Sequence, residues 1–205
     1  MLQHKNGGSG GGQWNKHIDN YDPNGKDLLC YIFEDKLPYE IGEKIVYCES
    51  NYYVLSRIIE KIVGRPVDEW ARDNLFTPLQ FEYVSWGRCP QGHTFCGSGL
   101  SMRTRDMAKF GMIYANNGVY EGKRYLSEEW IKLATKVFKV DDFGGYGYAV
   151  QKTTYMKDKE FYLVGAGDQT VVFRIGTPRV IAFHAAGAGG SLGLLKTVVD
   201  MMRED

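Results

Sequence analysis

Three groups of residues in this 205-residue chain have types and spacings that could do chemistry. The first is Tyr47-Cys48-Glu49, at the end of the short run Lys44-Ile45-Val46 and directly ahead of a helical pattern. A phenol can carry a proton, yet with a pKa near 10 it is only ~0.1% ionised at pH 7, an activation cost of about 4 kcal/mol. Nearby cations lower that cost, and a carboxylate such as Glu49 raises it. The second group is Cys89-x3-His93-x2-Cys96. A zinc site needs a fourth ligand and no similar pair exists in the chain, so no metal is expected. Cys30, Cys48, Cys89 and Cys96 are too few for a disulfide scaffold and read as free, partly buried thiols. His93 reads as a histidine with a structural hydrogen bond. The third group is the serines, because a serine with a lysine three residues on places nucleophile and base on one helical face. None of Ser9, Ser50, Ser56, Ser85, Ser98, Ser101, Ser127 and Ser191 has that lysine. Ser85 has Arg88 there, whose guanidinium stays protonated and cannot serve as a base. Thr154-Tyr155-Met156-Lys157 has the spacing but falls between predicted strands, where the pairing is coincidental.

The elements that must position these residues follow from hydropathy. Val54, Leu55, Ile58, Ile59, Ile62 and Val63 repeat at helical spacing and predict a helix with one apolar face, ended by Gly64 in a left-handed cap and kept ended by Pro66. Asp27 to Phe33 predicts a short helix, and Val67 to Leu75 another, with Trp70 and Leu75 as buried candidates. Trp86 to Leu100 reads as a long glycine-rich loop. Thr104 is a candidate N-cap for a helix with Asp106 in its first turn and Met107, Phe110 and Tyr114 as its apolar stripe. Asn117-Gly118 and Glu121-Gly122 predict tight turns, and Ser127-Glu128-Glu129-Trp130 begins a further helix. From residue 143 the pattern becomes strands: Gly144 to Val150, Glu160 to Val164, Thr170 to Arg174 and Arg179 to Ala185, the last two joined by Gly176-Thr177-Pro178. Leu192, Leu194, Leu195, Val198, Val199 and Met202 give a final amphipathic helix.

The order of residue types says more than their period. Tyr47-x-x, then Asn51-Tyr52-Tyr53, Leu55-x-x-Ile58-Ile59-Glu60-Lys61 and Gly64-x-Pro66 resembles the penicillin-recognising serine hydrolases: class C β-lactamases, D-alanyl-D-alanine peptidases (penicillin-binding proteins) and related esterases, largely bacterial. Met1-Leu2-Gln3-His4-Lys5-Asn6-Gly7 resembles their "Leu-Leu-Thr-His-Thr-Ser-Gly" segment. Arg105-Asp106-Met107-Ala108-Lys109-Phe110-Gly111 with Asn117-Gly118, Gly122-Lys123-Arg124 and Glu129-Trp130 resembles a block of their helical lobe. The resemblance makes Tyr47 the residue that moves the proton of a serine nucleophile, and places Glu49 where the motif Tyr-x-Asn has its asparagine. Gly165-Ala166-Gly167-Asp168-Gln169 resembles the relatives' "Gly-His-Gly-Gly-Gln", so Gly165, Ala166, Gly167 and Gln169 fall on the substrate-binding strand, with Ala166 in place of a cation or imidazole. Gln169 lies where a backbone N–H would complete an oxyanion hole.

The implied fold is α+β and β-lactamase/transpeptidase-like: a mainly helical lobe over 1–142, and an antiparallel sheet with a C-terminal helix over 143–205. The resemblance covers nearly all of the chain but only the later part of a complete family member, so the N-terminal strands and the Ser-x-x-Lys helix are expected to precede Met1. Two readings follow. One is a serine hydrolase that forms an acyl-serine from a β-lactam, a D-Ala peptide or an ester and is inactive as this chain. The other is a non-catalytic binding or structural remnant of the same fold. Residues that separate lactam, peptide and ester users lie largely in loops, so the motifs point to a bond class.

Composition bounds the partners. Twenty-five basic and 25 acidic residues give zero net charge, which argues against a nucleic-acid or anionic-membrane surface. No run approaches the ~18 apolar residues of a membrane span, and residues 1–12 hold no apolar segment of signal-peptide type. The family is often periplasmic or extracellular, in some cases cytoplasmic. Small-molecule or peptide substrates are expected and no cofactor. Strand 179–185 is expected to present an open edge, inviting a second copy or a missing N-terminal segment, with Val180, Ala182 and His184 on one face and Ile181, Phe183 and Ala185 on the other.

Overall fold

Helix α1 (Leu28–Glu34) starts at Asp27, whose carboxylate accepts the Leu29 N–H and pairs with Arg57 at 2.8 Å. Arg57 belongs to helix α2 (Ser50–Val63), so one side chain both caps the first helix and ties it to the second. Gly64 closes α2 with a φ of 74°, its N–H donating to the Glu60 carbonyl at 2.8 Å, as its left-handed cap predicts. Helix α3 (Val67–Ala71) continues into one π-helical turn, Arg72–Phe76. Strand β1 (Val84–Trp86) pairs antiparallel with β2 (Leu100–Met102). These elements form one compact unit of a computed structural model, Met1–Met102; Arg103–Asp205 form the other. The structure describes residues 2–5, 18, 22, 24–139, 144–165, 167, 169–185 and 191–204.

Two expectations about the first unit are corrected. Helix α2 does not bury its isoleucine face: Ile62 is 77% exposed, and Ile58 and Ile59 are also exposed. It buries Ser50, Asn51, Tyr53, Val54, Ser56 and Glu60 instead. The loop from Gly87 to Gly99 carries backbone groups that need partners, and the polar residues of α2 supply them. Ser56 Oγ donates to the Thr94 carbonyl at 3.0 Å, and Glu60 accepts the Thr94 N–H at 3.1 Å. In the stretch after Gly64, the buried apolar residues are Val67, Ala71, Phe76 and Leu79, while Trp70 is 37% exposed and Leu75 half-buried.

The second unit opens with helix α4 (Thr104–Ala115), which starts one residue after Arg103, the observed cap, rather than at a Thr104 cap. Strands β3 (Val119–Tyr120) and β4 (Lys123–Arg124) form a hairpin whose turn residues Glu121 and Gly122 have φ of 47° and 76°. Two consecutive positive φ values make the tight turn that Glu-Gly predicts. Ser127 caps helix α5 (Glu128–Ala134) by accepting the Trp130 N–H at 3.0 Å. Strands β5 (Phe138–Lys139), β6 (Gly144–Tyr146), β7 (Gln151–Thr153), β8 (Glu160–Gly165), β9 (Gln169–Arg174) and β10 (Val180–His184) form one antiparallel sheet in the order β10-β9-β8-β7-β6-β5. Helix α6 (Ser191–Met201) follows.

The sheet is covered on both faces. On one, Met156, Tyr162, Val172, Leu195, Val199 and Met202 form a core with Ile181 and Phe183 against it. On the other, Ala115, Ala134, Val150, Phe161 and Phe173 form a second core that Val180 joins. Val180 and the Ile181/Phe183 pair therefore face opposite ways, as strand alternation requires. Helix α4 packs on β9 and β10 and belongs with the sheet. The contact boundary thus falls at Met102/Arg103, upstream of residue 143, where the hydropathy period changes. Gly111 allows that packing: a Cβ there would lie 2.5 Å from Val180 Cγ1 and 2.7 Å from Val171 Cγ1. Gly111, Ile113 and Ala115 are the buried apolar residues of α4, while Met107, Phe110 and Tyr114 are half-buried. Among the described residues β10 pairs with β9 alone, so it is an edge of the sheet.

Candidate active site

Tyr47 stands three residues before α2 and is 45% exposed as a residue. The turn beneath it is built from buried polar contacts. Cys48 is buried, with its Sγ 2.8 Å from Ser50 Oγ. His4 is buried as well, and its Nδ1 accepts the Cys48 N–H at 3.1 Å and the Asn51 amide at 3.1 Å. The His4 ring lies against Tyr47 with centroids 4.5 Å apart. Burial pushes the Tyr47 phenol well above the usual tyrosine range, and Tyr52, Glu49 and Cys48 add to the shift. At neutral pH such a phenol keeps its proton and acts as a hydrogen-bond donor.

Glu49 occupies the N-cap position of α2 without making a capping hydrogen bond. One of its carboxylate oxygens, Oε2, is buried and has no hydrogen-bond partner among the described residues. The backbone of Gly97 comes close behind it, since a Cβ on Gly97 would lie 2.8 Å from the Glu49 carbonyl oxygen. A side chain at position 97 would push the 87–99 loop off the turn.

That loop is fixed from below by charge. Glu60, only 9% exposed, accepts from His93 Nδ1 at 2.7 Å and takes the Thr94 and Val67 N–H groups at 3.1 Å and 3.4 Å. Asp68 binds Arg88 in a fork at 2.9 Å and 2.7 Å and takes the Thr94 hydroxyl at 2.8 Å. Burial pulls the Asp68 carboxyl upward, and the Arg88 and Thr94 bonds outweigh it, holding the group below the usual carboxylate range. His93 is thus structural, as its sequence setting suggests. All four cysteines are free thiols, and burial pushes Cys96 up to about 12. Among the described residues no group of three or more His, Cys, Asp or Glu side chains is placed to hold a metal ion, and no helix is long and apolar enough to cross a membrane.

The remaining site residues lie in the second unit, at the turn between β8 and β9. Gly165 ends β8 and Gln169 opens β9, the two facing each other in register, with His184 of β10 on the other side of Gln169. Gly167 has a φ of 90°. The Gln169 side chain folds over the turn: Cβ atoms on Gly165 and Gly167 would each lie 2.9 Å from its amide. Ala166 lies outside the described residues. Tyr47 and Glu49 therefore belong to one compact unit, and Gly165, Gly167 and Gln169 to the other. His4 and Thr94 carry no role by residue type alone, and Glu60, which helical periodicity puts on the solvent side of α2 with Arg57 and Lys61, is buried instead. His4 had a signal, the Leu-x-His segment at the start of the chain; Thr94 had none, because a loop threonine with a buried partner looks like any other.

Comparison with known proteins places the whole of this geometry within one family. The chain is 31% identical over 119 residues to N-acetylmuramyl-L-alanine amidase of Bacillus subtilis, covering 55% of this chain and 27% of that protein. It is 22% identical over 180 residues to a putative D-alanyl-D-alanine carboxypeptidase of Escherichia coli O157:H7, covering 66% of this chain and 42% of that protein. The chain thus spans less than half the length of either relative. The fold matches a penicillin-binding protein from Bacillus halodurans with a TM-score of 0.71 at 14% identity, over 96% of this chain and 71% of that one. The model of the beta-lactamase family matches residues 1–197, taking in the Tyr47 turn, helix α2 and the whole β8–β9 turn. By that match the chain belongs to the beta-lactamase family.

Proposed function

We propose that this chain is the tyrosine-bearing and strand-bearing part of a serine acyl hydrolase, one that cleaves an amide or ester bond in a small molecule or peptide through an acyl-serine released to water. Membership of the family supports this, as do the printed names of the two relatives, an amidase and a carboxypeptidase. The observation that carries it is the Tyr47 turn: a half-exposed phenol held at the head of α2 by buried partners on both sides of it in the chain. In this reading Tyr47 moves the proton of the nucleophile, Glu49 lies beside the substrate, and the β8–β9 turn, with Gly165, Gly167 and the Gln169 backbone N–H, receives the carbonyl. The 205 residues supply no Ser-x-x-Lys, so this polypeptide by itself binds substrate and does not turn it over.

A purely structural remnant would keep the turn without the ligand, and binding separates it from a chain that holds substrate. N-acetyl-D-alanyl-D-alanine added to the isotopically labelled chain should shift the Tyr47 ring signals and the amides of Gly165, Gly167 and Gln169 together. Saturating probe that moves neither set would overturn the reading. The same proposal covers the edge: β10 takes another strand, from a second copy or from an N-terminal segment of the family's kind.

A further inference from the structure

We infer that His4 is a positioning residue for Tyr47, holding the turn from both sides with one side chain and one carbonyl. The inference rests on the reading of Tyr47 as the proton carrier, and the geometry behind it is specific. Val46, the residue before Tyr47, donates its N–H to the His4 carbonyl at 3.0 Å. Cys48, the residue after it, donates its N–H to His4 Nδ1 at 3.1 Å. Both flanks of Tyr47 are therefore bonded to a residue more than forty positions earlier, separated by 44 residues from Cys48. The side chain of Tyr47 meets the same residue, its ring centroid 4.5 Å from the imidazole at a 35° tilt. Tyr52 closes the other side, edge-on to His4 at 5.4 Å.

These partners fix the state of the imidazole. A backbone N–H can only donate, so Nδ1 is an acceptor and carries no proton. The Asn51 amide reaches the same nitrogen at 3.1 Å. The proton then sits on Nε2, which donates to the Tyr52 hydroxyl at 3.3 Å. A protonated imidazole would lose the acceptor that both groups use, and burial opposes it, lowering His4 to about 4. His4 thus stays neutral across the working range of a hydrolase. It orients the phenol without touching a substrate. A histidine that only filled space would need neither the tautomer nor the Cys48 bond.

The test compares three substitutions in the full chain. Asn at position 4 places Oδ1 the same number of bonds from Cα as Nδ1, so His4→Asn keeps the acceptor and loses the ring. His4→Phe keeps a ring and loses the acceptor; His4→Ala loses both. In the parent, nitrogen NMR of the labelled imidazole should show an acceptor-type Nδ1 and a protonated Nε2. Loss of one hydrogen bond of ordinary strength should speed exchange of the Cys48 amide by about five- to tenfold in His4→Phe and His4→Ala, and His4→Asn should restore it. Tyr47 ring signals should broaden or move in His4→Asn and His4→Ala, where the imidazole face is gone, while amides of β8 and β9 stay unchanged. The opposite tautomer, or Cys48 exchange in His4→Phe within twofold of the parent, would overturn the inference. If His4→Ala fails to fold, the Asn and Phe variants carry the same comparison. N-acetyl-D-alanyl-D-alanine provides the separate arm. A parent whose Tyr47 is held as described yet ignores the peptide would defeat the proposed function and leave the positioning role standing.

Discussion

Replacing Arg203 with methionine should cost the second unit about 3–5 kcal/mol, the usual penalty for stranding one member of a buried ion pair. Glu160, the first residue of β8, is fully buried. Arg203 meets it as a fork, Nε to Oε1 at 3.0 Å and Nη2 to Oε2 at 2.6 Å, and also donates to the Tyr155 carbonyl at 3.0 Å. The Lys157 N–H adds a third bond to the carboxylate at 2.7 Å. Methionine keeps most of the alkyl volume and none of the donors, so the carboxylate is left with the Lys157 N–H. The consequence reaches the site, because the strand that Glu160 begins is the one that Gly165 ends. Glu160→Met with Arg203→Met should be the informative control. With no charge left to strand, the double variant should recover about 2 kcal/mol of the loss. Urea unfolding followed by circular dichroism, and by fluorescence in a background where Trp130 is the one tryptophan kept, gives both numbers.

The pH dependence carries its own sign. Burial pulls the Glu160 carboxyl upward, but the bonds from Arg203 and the Lys157 N–H outweigh it and leave the folded value below the ordinary one. A depressed folded pKa contributes stability that is complete above the unfolded value, about 4.3, and is lost as pH falls through the folded value. The gap between parent and Arg203→Met should therefore be largest near neutral pH and shrink steadily on acidification, as the stranded carboxylate of the variant takes up a proton first. A loss under about 1 kcal/mol at pH 7, or a gap that widens on acidification, would refute the assignment of Glu160 as a buried, ion-paired carboxylate.

Three further outcomes are expected. The chain should show no mass adduct after incubation with a β-lactam or a fluorophosphonate, since none of its serines has a lysine at the required spacing; a stoichiometric adduct on any serine would contradict this. Gly111→Val should destabilise the second unit by about 1–3 kcal/mol in thermal unfolding, because its Cβ would sit within 2.7 Å of Val171 and Val180 methyl groups. Sedimentation should show association that rises with concentration and slows amide exchange along Val180–His184; a monodisperse chain with slow exchange there would mean the edge is already covered.

How much of this was legible follows from which interactions are local. The Gly64 cap, the Ser127 cap and the Glu121-Gly122 turn depend on one or two residues and their neighbours, and each appears where the sequence places it. The strands from Glu160 to His184 are also local in origin, and fall within a residue of expectation. What was not legible depends on partners distant in the chain. Helix α2 looks apolar on its isoleucine face, yet the polar residues face inward because the 87–99 loop needs hydrogen-bond partners. Periodicity counts apolar residues and is blind to a buried face made of Ser56 and Glu60. Helix α4 carries motif residues of a helical lobe, but Gly111 lets it settle on β9 and β10, and nothing short of those valines reveals it. The site shows the same division. Tyr47 was marked by its motif, whereas the role of His4 became visible only when Val46 and Cys48 were both found bonded to it.

The electrostatics of Tyr47 join two requirements of the proposed reaction into one. Among the described residues, Tyr52, Glu49 and Cys48 add to burial in pushing its pKa up. Even an unperturbed tyrosine costs about 4 kcal/mol to ionise at pH 7, and this one costs more. A serine nucleophile without a base gains nothing from such a neighbour. A lysine brought close to Tyr47 would change both terms at once: its positive charge would lower the phenol, and its place one helical turn from the serine would put the nucleophile within reach of the phenolate. A nucleophile supplied without that lysine should therefore leave Tyr47 protonated and the serine unactivated, whatever the quality of the fold. The acid at position 49 sharpens the demand, because the incoming cation must offset a carboxylate as well as the burial of the ring. Glu49→Asn removes that opposition and should lower the Tyr47 pKa in an ultraviolet titration, while Glu49→Gln, which is also uncharged, should do the same. A titration midpoint unmoved by either substitution would show that Glu49 plays no part in the chemistry of the phenol.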